Sequence, residues 1–116
     1  MSIVESNDHG NDVFVFTEII TPKEGRVEDV LAISRKSVAT LKSQPGLIQS
    51  MLTRSEKKDG EVSTISVWES KTDFQNFMKT DAFAELLKSD DMQNIKEWMS
   101  DYQMLMSDLV DGWHGR

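Results

Sequence analysis

The chain of 116 residues contains no cysteine. Disulfide bridges, thiolate nucleophiles and cysteine-based metal sites are therefore excluded, and the redox compartment cannot be inferred. The sequence also lacks an apolar run of the roughly 18 residues that a membrane-spanning helix needs. Its N-terminal segment is acidic and has too few apolar residues for a signal peptide. These absences predict a cytoplasmic protein.

Basic residues are scarce as well. The chain has 13 Lys and Arg against 20 Asp and Glu, which gives a net charge of -7. Nucleic acids and anionic membranes attract clustered Lys and Arg, so the charge speaks against both as partners. The length fits one domain with a single compact core. We expect that domain over residues 12–111, between flexible tails at residues 1–11 and 112–116.

Four segments have the character of β-strands. Residues 13–20 are rich in β-branched and aromatic side chains, which is typical of strands, and residues 47–55 and 61–69 are predicted as the second and third strands. The Asp-Gly pair at 59–60 predicts a hairpin between the second and third of them. A fourth strand around residues 102–109 would cover an edge that three strands leave exposed.

Apolar residues at helical spacing predict a long helix after the first strand and further helices after the third. We expect the long helix to begin with Thr21 as N-cap and Pro22 in its first turn. Ser70 and Thr80 are placed to cap later helices, and the last helix covers residues 90–99. The βαββαβ order predicts an α+β, ferredoxin-like fold, with helices on one face of a four-stranded antiparallel sheet.

The other face of this sheet is also expected to be apolar. Alternation along the strands places Val13, Val15, Ile19, Ile65 and Val67 on it. An exposed apolar patch of this size is unusual for a monomer. We therefore expect a homodimer in which two such faces pack back to back.

Three segments together resemble the antibiotic biosynthesis monooxygenase (ABM) domain family. They read VFVFTEIITPKEGRVEDVL, QPGLIQSMLTRS and ISVWESKTDFQNFMKTDAFAELL. The landmarks are Pro-Gly after the first helix, Trp-Glu-Ser at the end of the third strand, and the phenylalanine-rich segment that follows. The resemblance covers residues 13–88, with weaker similarity to residue 110. It implies a dimeric α/β barrel, in which two ferredoxin-like units join through their sheets.

The family includes cofactor-free monooxygenases of quinols or polyketide aromatics, haem-degrading monooxygenases, and relatives with isomerase or signal-molecule roles. Haem-degrading members use an Asn, a Trp and a His at positions that hold Glu18, Phe77 and Leu87 here. Leucine cannot coordinate iron, so the resemblance disfavours haem degradation. His9 and His114 lie in the expected tails, where we predict solvated side chains. We expect neither a metal nor a cofactor.

The aromatic-oxidising members keep a Trp at the end of the third strand, and Trp68 stands at that position. Cofactor-free oxygenation needs a dry cavity, a proton acceptor and a group that holds the substrate anion. Glu18 is the one ionisable side chain that we expect on the inner face of the sheet. Trp68 and Glu18 are therefore the candidate catalytic residues. The candidate substrate-pocket residues are Phe14, Phe16, Thr64, Ser66, Phe74, Phe77 and Leu87.

Both catalytic candidates also have a structural interpretation. Trp68 can seal the sheet against the helices, and Glu18 can face water or pair with a lysine. Thr64 and Phe74 stand where related enzymes can carry Asn and Tyr, so the polar groups match only in part. The sequence predicts a cofactor-independent monooxygenase of a small aromatic or quinol-type substrate. The alternative is a non-catalytic dimer of the same fold that binds a small apolar ligand.

Overall fold

The computed structural model describes residues 12–112. The helices and strands are β1 Phe14–Pro22, α1 Val27–Leu41, β2 Leu47–Arg54, β3 Val62–Trp68, α2 Lys71–Met78, α3 Asp81–Lys88, α4 Asp90–Trp98 and β4 Met99–Asp108. Within residues 12–112, every helix is too short or too polar to span a lipid bilayer. Residues 1–11 and 113–116, which include His9 and His114, lie outside the described range.

The four strands form one antiparallel sheet in the order β2-β3-β1-β4. β1 pairs with β3 on one side and with β4 on the other, so β2 and β4 are the edge strands. This is the α+β, ferredoxin-like arrangement that the βαββαβ order predicts. The fourth strand begins at Met99, earlier than predicted, because the chain passes from α4 into β4 without a loop.

The predicted start of the first helix is wrong. Thr21 and Pro22 are still part of β1 and pair with β4, so Thr21 caps no helix. The sheet tolerates Pro22, which cannot donate a backbone hydrogen bond, because it is the last residue of the strand. The chain then turns at Gly25, where φ is 79° and the N–H donates to Oδ1 of Asp59 at 3.1 Å. The N-cap of α1 is Arg26, without a side-chain cap.

The predicted caps of the later helices are confirmed. Ser70 Oγ accepts a hydrogen bond from the N–H of Asp73 at 3.2 Å, and Thr80 Oγ1 accepts one from the N–H of Phe83 at 3.2 Å. Such bonds satisfy backbone donors in the first turn that have no partner within the helix. The caps set where α2 and α3 begin, and hence which of their side chains face the sheet.

Two buried hydrophobic clusters lie on the helix-covered face of the sheet, one towards each end. One is built on the cross-strand pair Ile20–Val62, and the other on the pair Phe14–Trp68. The helices add Val30, Leu31, Ile33 and Ile95 to the first cluster, and Phe74 and Phe77 to the second. The strand positions between the two pairs separate the clusters, so the core is interrupted over the middle of the sheet.

The opposite face of the sheet remains partly exposed and apolar. Val15, Ile19, Ile65 and Val67 are only partly buried, and Leu105 of β4 is 50% exposed. Alternation along each strand places these side chains on the side away from the two clusters. The helices thus bury one face of the sheet and leave the other partly exposed.

Candidate functional site

A cavity of about 690 Å³ lies between the sheet and the helices. Its floor is formed by two cross-strand pairs, Phe16–Ser66 and Glu18–Thr64, which lie between the large pairs that anchor the two clusters. Serine and threonine leave space where a larger side chain would fill the core. Small-molecule sites occupy roughly 300–1,000 Å³, so a compact organic ligand fits this volume.

The walls of the cavity are largely apolar. Aromatic and aliphatic side chains from the helices include Val38, Leu41, Phe74, Phe77, Phe83, Leu86 and Leu87. On the β4 side, Met104 and Met106 line the cavity and are 51% and 48% exposed, so the space opens towards this edge strand. An apolar enclosure with few polar groups is typical of sites for small organic molecules.

Glu18 and Lys96 are the only acidic and basic side chains among the described residues that line the cavity. Glu18 Oε2 accepts a hydrogen bond from the Tyr102 hydroxyl at 2.5 Å. The Thr64 hydroxyl lies 3.5 Å from Oε1. Glu18 is therefore held by a tyrosine, and not by a lysine as in the structural interpretation of the sequence.

Tyr102 was not identified from the sequence. Burial raises its pKa above the ordinary value of 10.0, and the hydrogen bond and negative charge of Glu18 raise that pKa further. The hydroxyl consequently stays protonated and remains a donor at neutral pH. The sequence does contain features that point to Tyr102. It is the sole tyrosine of the chain, and it alternates with Met104 and Met106 along a predicted strand.

Trp68 is both a core residue and a wall of the cavity. It is fully buried, and its indole Nε1 donates a hydrogen bond to Ser66 Oγ at 2.9 Å. Its ring stacks on Phe77 with centroids 5.6 Å apart and meets Phe74 edge-on at 5.7 Å. The same side chain also lines the cavity. The two interpretations of Trp68 are thus compatible.

Most of the predicted pocket residues are brought together. Those that line the cavity are Phe16, Thr64, Ser66, Phe74, Phe77 and Leu87. Phe14 is buried in the aromatic cluster below them and does not line the cavity. Within residues 12–112, the acidic and histidine side chains form no group of three that could hold a metal ion.

The fold and the cavity together define a ferredoxin-like α+β protein with an internal site of ligand size. The sequence profile of the antibiotic biosynthesis monooxygenase family matches residues 8–89. The chain therefore belongs to that family. Comparison with curated proteins gives no significant match.

Several solved structures share the fold. Protein SO0527 from Shewanella oneidensis is 17% identical with a TM-score of 0.73, and the match covers 88% of this chain and 95% of that protein. SnoaB, a cofactor-independent oxygenase from Streptomyces nogalater, is 16% identical with a TM-score of 0.70, covering 87% and 96%. PA3566 from Pseudomonas aeruginosa is 14% identical with a TM-score of 0.69, covering 89% and 99%. At these identities, the similarity shows a common fold.

Proposed function

We propose that this protein is a cofactor-independent monooxygenase, which oxidises a small hydroxyaromatic or quinol-type molecule with O₂. The observation that carries the proposal is the Glu18 carboxylate, held by Tyr102 on the floor of an otherwise largely apolar cavity. Membership of the antibiotic biosynthesis monooxygenase family supports the proposal, as does the fold shared with an oxygenase that needs no cofactor.

In the proposed reaction, Glu18 acts as the general base. It accepts the proton of a substrate hydroxyl group and leaves an electron-rich anion. The anion transfers one electron to O₂, and the two radicals combine to form a peroxide on the substrate ring. Loss of water from that peroxide gives a carbonyl. One oxygen atom thus enters the product, and the other leaves as water with two hydrogens of the substrate.

The other residues of the cavity bind and shield the substrate. The rings of Phe16, Phe74 and Phe77 offer apolar surfaces against which an aromatic molecule packs, and they exclude water from the reacting anion. The fully buried ring of Trp68 supports Phe74 and Phe77. Lys96 is the one basic side chain in the described lining, and its charge offsets that of the substrate anion. The proposed catalytic base is accordingly Glu18, and Trp68 is proposed as a positioning residue for the rings that meet the substrate.

Oxygen uptake with a panel of quinols and hydroxyanthrones tests the proposal. We expect Glu18→Gln to lower turnover by about 100- to 10,000-fold, the usual contribution of a general base. Glu56→Gln is the matched control, because Glu56 is exposed in the loop between β2 and β3. A panel member that stabilises the wild-type protein against heat without being oxidised would contradict the proposal. It would favour the alternative, a dimer that only binds a small ligand.

We further propose that the protein is a homodimer formed through the open face of the sheet. That face carries Leu105 and the partly buried side chains of Val15, Ile19, Ile65 and Val67. A two-fold axis brings the same apolar surface of a second copy against it, which removes both surfaces from water. The cavity lies on the other face of the sheet, so this contact leaves it open to ligands.

A further inference from the structure

We infer that Tyr102 is a positioning residue, which holds the Glu18 carboxylate by its Oε2 atom and leaves its Oε1 atom as the acceptor for the ligand. The inference rests on the proposed function in one respect only, namely that the cavity takes a ligand with a hydroxyl group. It assigns a role to a side chain that makes no contribution to the hydrophobic clusters.

The pairing of β1 with β4 brings the two residues together. Glu18 lies opposite Met104, and Ile20 lies opposite Tyr102, so Tyr102 is the diagonal neighbour of Glu18 on the same face. Diagonal neighbours in an antiparallel pair are about 7–8 Å apart, a gap that a tyrosine side chain can bridge. The hydroxyl reaches the carboxylate within regular strand pairing, since the bulge between these strands occurs only at Thr21 and Pro22.

The two carboxylate oxygens of Glu18 are in different situations. Oε2 accepts the hydrogen bond of the Tyr102 hydroxyl at 2.5 Å. Oε1 is 3.5 Å from the Thr64 hydroxyl, at the outer limit of hydrogen bonding. An ionised carboxylate has about four acceptor positions, so Oε1 keeps the capacity to accept a proton donor from a ligand.

No other charged group competes for Glu18 among the described residues of the lining. From α1 the cavity receives the hydroxyl groups of Ser34 and Ser37, and from α2 and α3 only apolar side chains. From α4 it receives Lys96, which takes no part in the ion pairs of the described residues. Tyr102 is therefore the strong donor that orients this carboxylate.

This arrangement has a consequence for ligand selection. The carboxylate can only accept hydrogen bonds, and the Tyr102 hydroxyl, its strong donor within the protein, bonds to Oε2. A ligand must bring its own hydroxyl donor to Oε1, and an otherwise similar methyl ether leaves that partly buried acceptor without the bond. Sites built to bond a hydroxyl group discriminate strongly against analogues that lack it. Loss of the Tyr102 hydroxyl removes the bond to Oε2 and frees the carboxylate to rotate.

Calorimetric titration of the full chain with naphthol and methoxynaphthalene tests the inference. We expect the wild-type protein to bind naphthol at least about tenfold more tightly than its methyl ether, and Tyr102→Phe to bring this ratio close to one. Gln93→Ala is the control, because Gln93 is exposed on α4 and does not line the cavity. Thermal unfolding of each variant verifies that it is folded.

Two further readouts separate positioning from a merely structural role. In a Glu18→Gln background, adding Tyr102→Phe should change the ratio of the naphthol and methoxynaphthalene affinities by less than about twofold. Tyr102 acts through Glu18, so the two substitutions are not additive. The loss of selectivity in Tyr102→Phe should come from weaker naphthol binding, while the affinity for methoxynaphthalene changes by less than about twofold, because only the hydroxyl ligand uses Oε1.

The outcomes distinguish this inference from the proposed function. Selectivity in the wild type that Tyr102→Phe abolishes supports the inference, even if no compound on the quinol panel is ever oxidised. Lack of oxygen uptake would then contradict only the monooxygenase proposal. The inference is wrong if the wild type does not prefer naphthol, or if Tyr102→Phe keeps the ratio or weakens both probes equally.

Discussion

Ser66 and Trp68 lie two positions apart on β3 and face the same side of the sheet, and the indole of Trp68 donates its hydrogen bond to the Ser66 hydroxyl at 2.9 Å. Both side chains are buried. The rings of Phe74 and Phe77, which pack against the indole, offer it no acceptor. Ser66 therefore supports the aromatic cluster as well as forming part of the cavity floor.

Replacing Ser66 by alanine should destabilise the protein, because the buried indole N–H loses its acceptor. A buried donor without a partner costs about 1–3 kcal/mol, and equilibrium unfolding in urea measures this loss. The control is Ser43→Ala, since Ser43 is exposed in the turn between α1 and β2. We expect this control to change the free energy of unfolding by less than about 0.5 kcal/mol. Equal effects of the two substitutions would show that the bond between Ser66 and Trp68 has no net value.

The titration of Tyr102 can be observed directly, because the chain contains one tyrosine. We expect tyrosinate absorbance of the folded protein to appear only well above pH 10, since burial and Glu18 both raise the pKa of Tyr102. Glu18→Gln should lower the midpoint by removing the negative charge, while the contribution of burial remains. A midpoint at or below about pH 10 in the folded wild type would contradict the hydrogen bond to Glu18.

The same raised pKa predicts how stability depends on alkaline pH. Tyr102 binds its proton more tightly in the folded state, so its contribution to the free energy of unfolding is complete below the ordinary pKa of 10.0. As the pH rises above that value, the unfolded chain ionises first and the contribution declines. Tyr102→Phe should therefore lose less stability than the wild type between neutral pH and the alkaline range. Parallel unfolding curves at each pH measure the difference.

Gly46 and Gly25 provide a matched pair of turn substitutions. Both have positive φ values, 85° and 79°, at which any other residue is strained by about 1–2 kcal/mol. A Cβ atom at Gly46 would also lie 2.4 Å from the side chain of Asp73, whereas a Cβ at Gly25 would meet nothing within 4 Å. Gly46→Ala should thus lower the urea midpoint clearly more than Gly25→Ala. Similar losses at both positions would mean that Asp73 moves away freely.

Leu105→Lys tests the proposed dimer. We expect sedimentation of the wild type at micromolar concentration to give a dimer, and the variant to be a folded monomer. In a dimer of the variant, each copy would place an unpaired charge in an apolar interface. Val110→Lys is the control, because Val110 is 87% exposed and lies beyond the end of β4. A wild-type protein that sediments as a monomer at this concentration would make the dimer proposal wrong.

Local patterns in the sequence were sufficient for most elements of the fold. Alternation along the strands and the hydroxyl caps at Ser70 and Thr80 depend on neighbouring residues only, and both were predicted correctly. Thr21 was misassigned because its sequence context also suits a helix start. Pairing with the distant strand β4 keeps Thr21 in the sheet instead.

The residues of the candidate site were likewise predicted from the sequence only in part. Glu18, Thr64, Ser66 and Trp68 could be placed on one face because side chains alternate along a strand, and all four line the cavity. Tyr102 could not be linked to Glu18, because the two are separated by 84 positions and meet only through the register between β1 and β4.

The amino-acid sequence alone determined the strand and helix order, the apolar character of both sheet faces and the absence of cysteine chemistry, since each follows from residue type and short-range spacing. Only the tertiary structure decided that small side chains between two bulky clusters leave a cavity open, and that a tyrosine from the edge strand holds the Glu18 carboxylate within it. Both depend on which distant segments pair and in what register, and short-range sequence patterns do not specify that alignment.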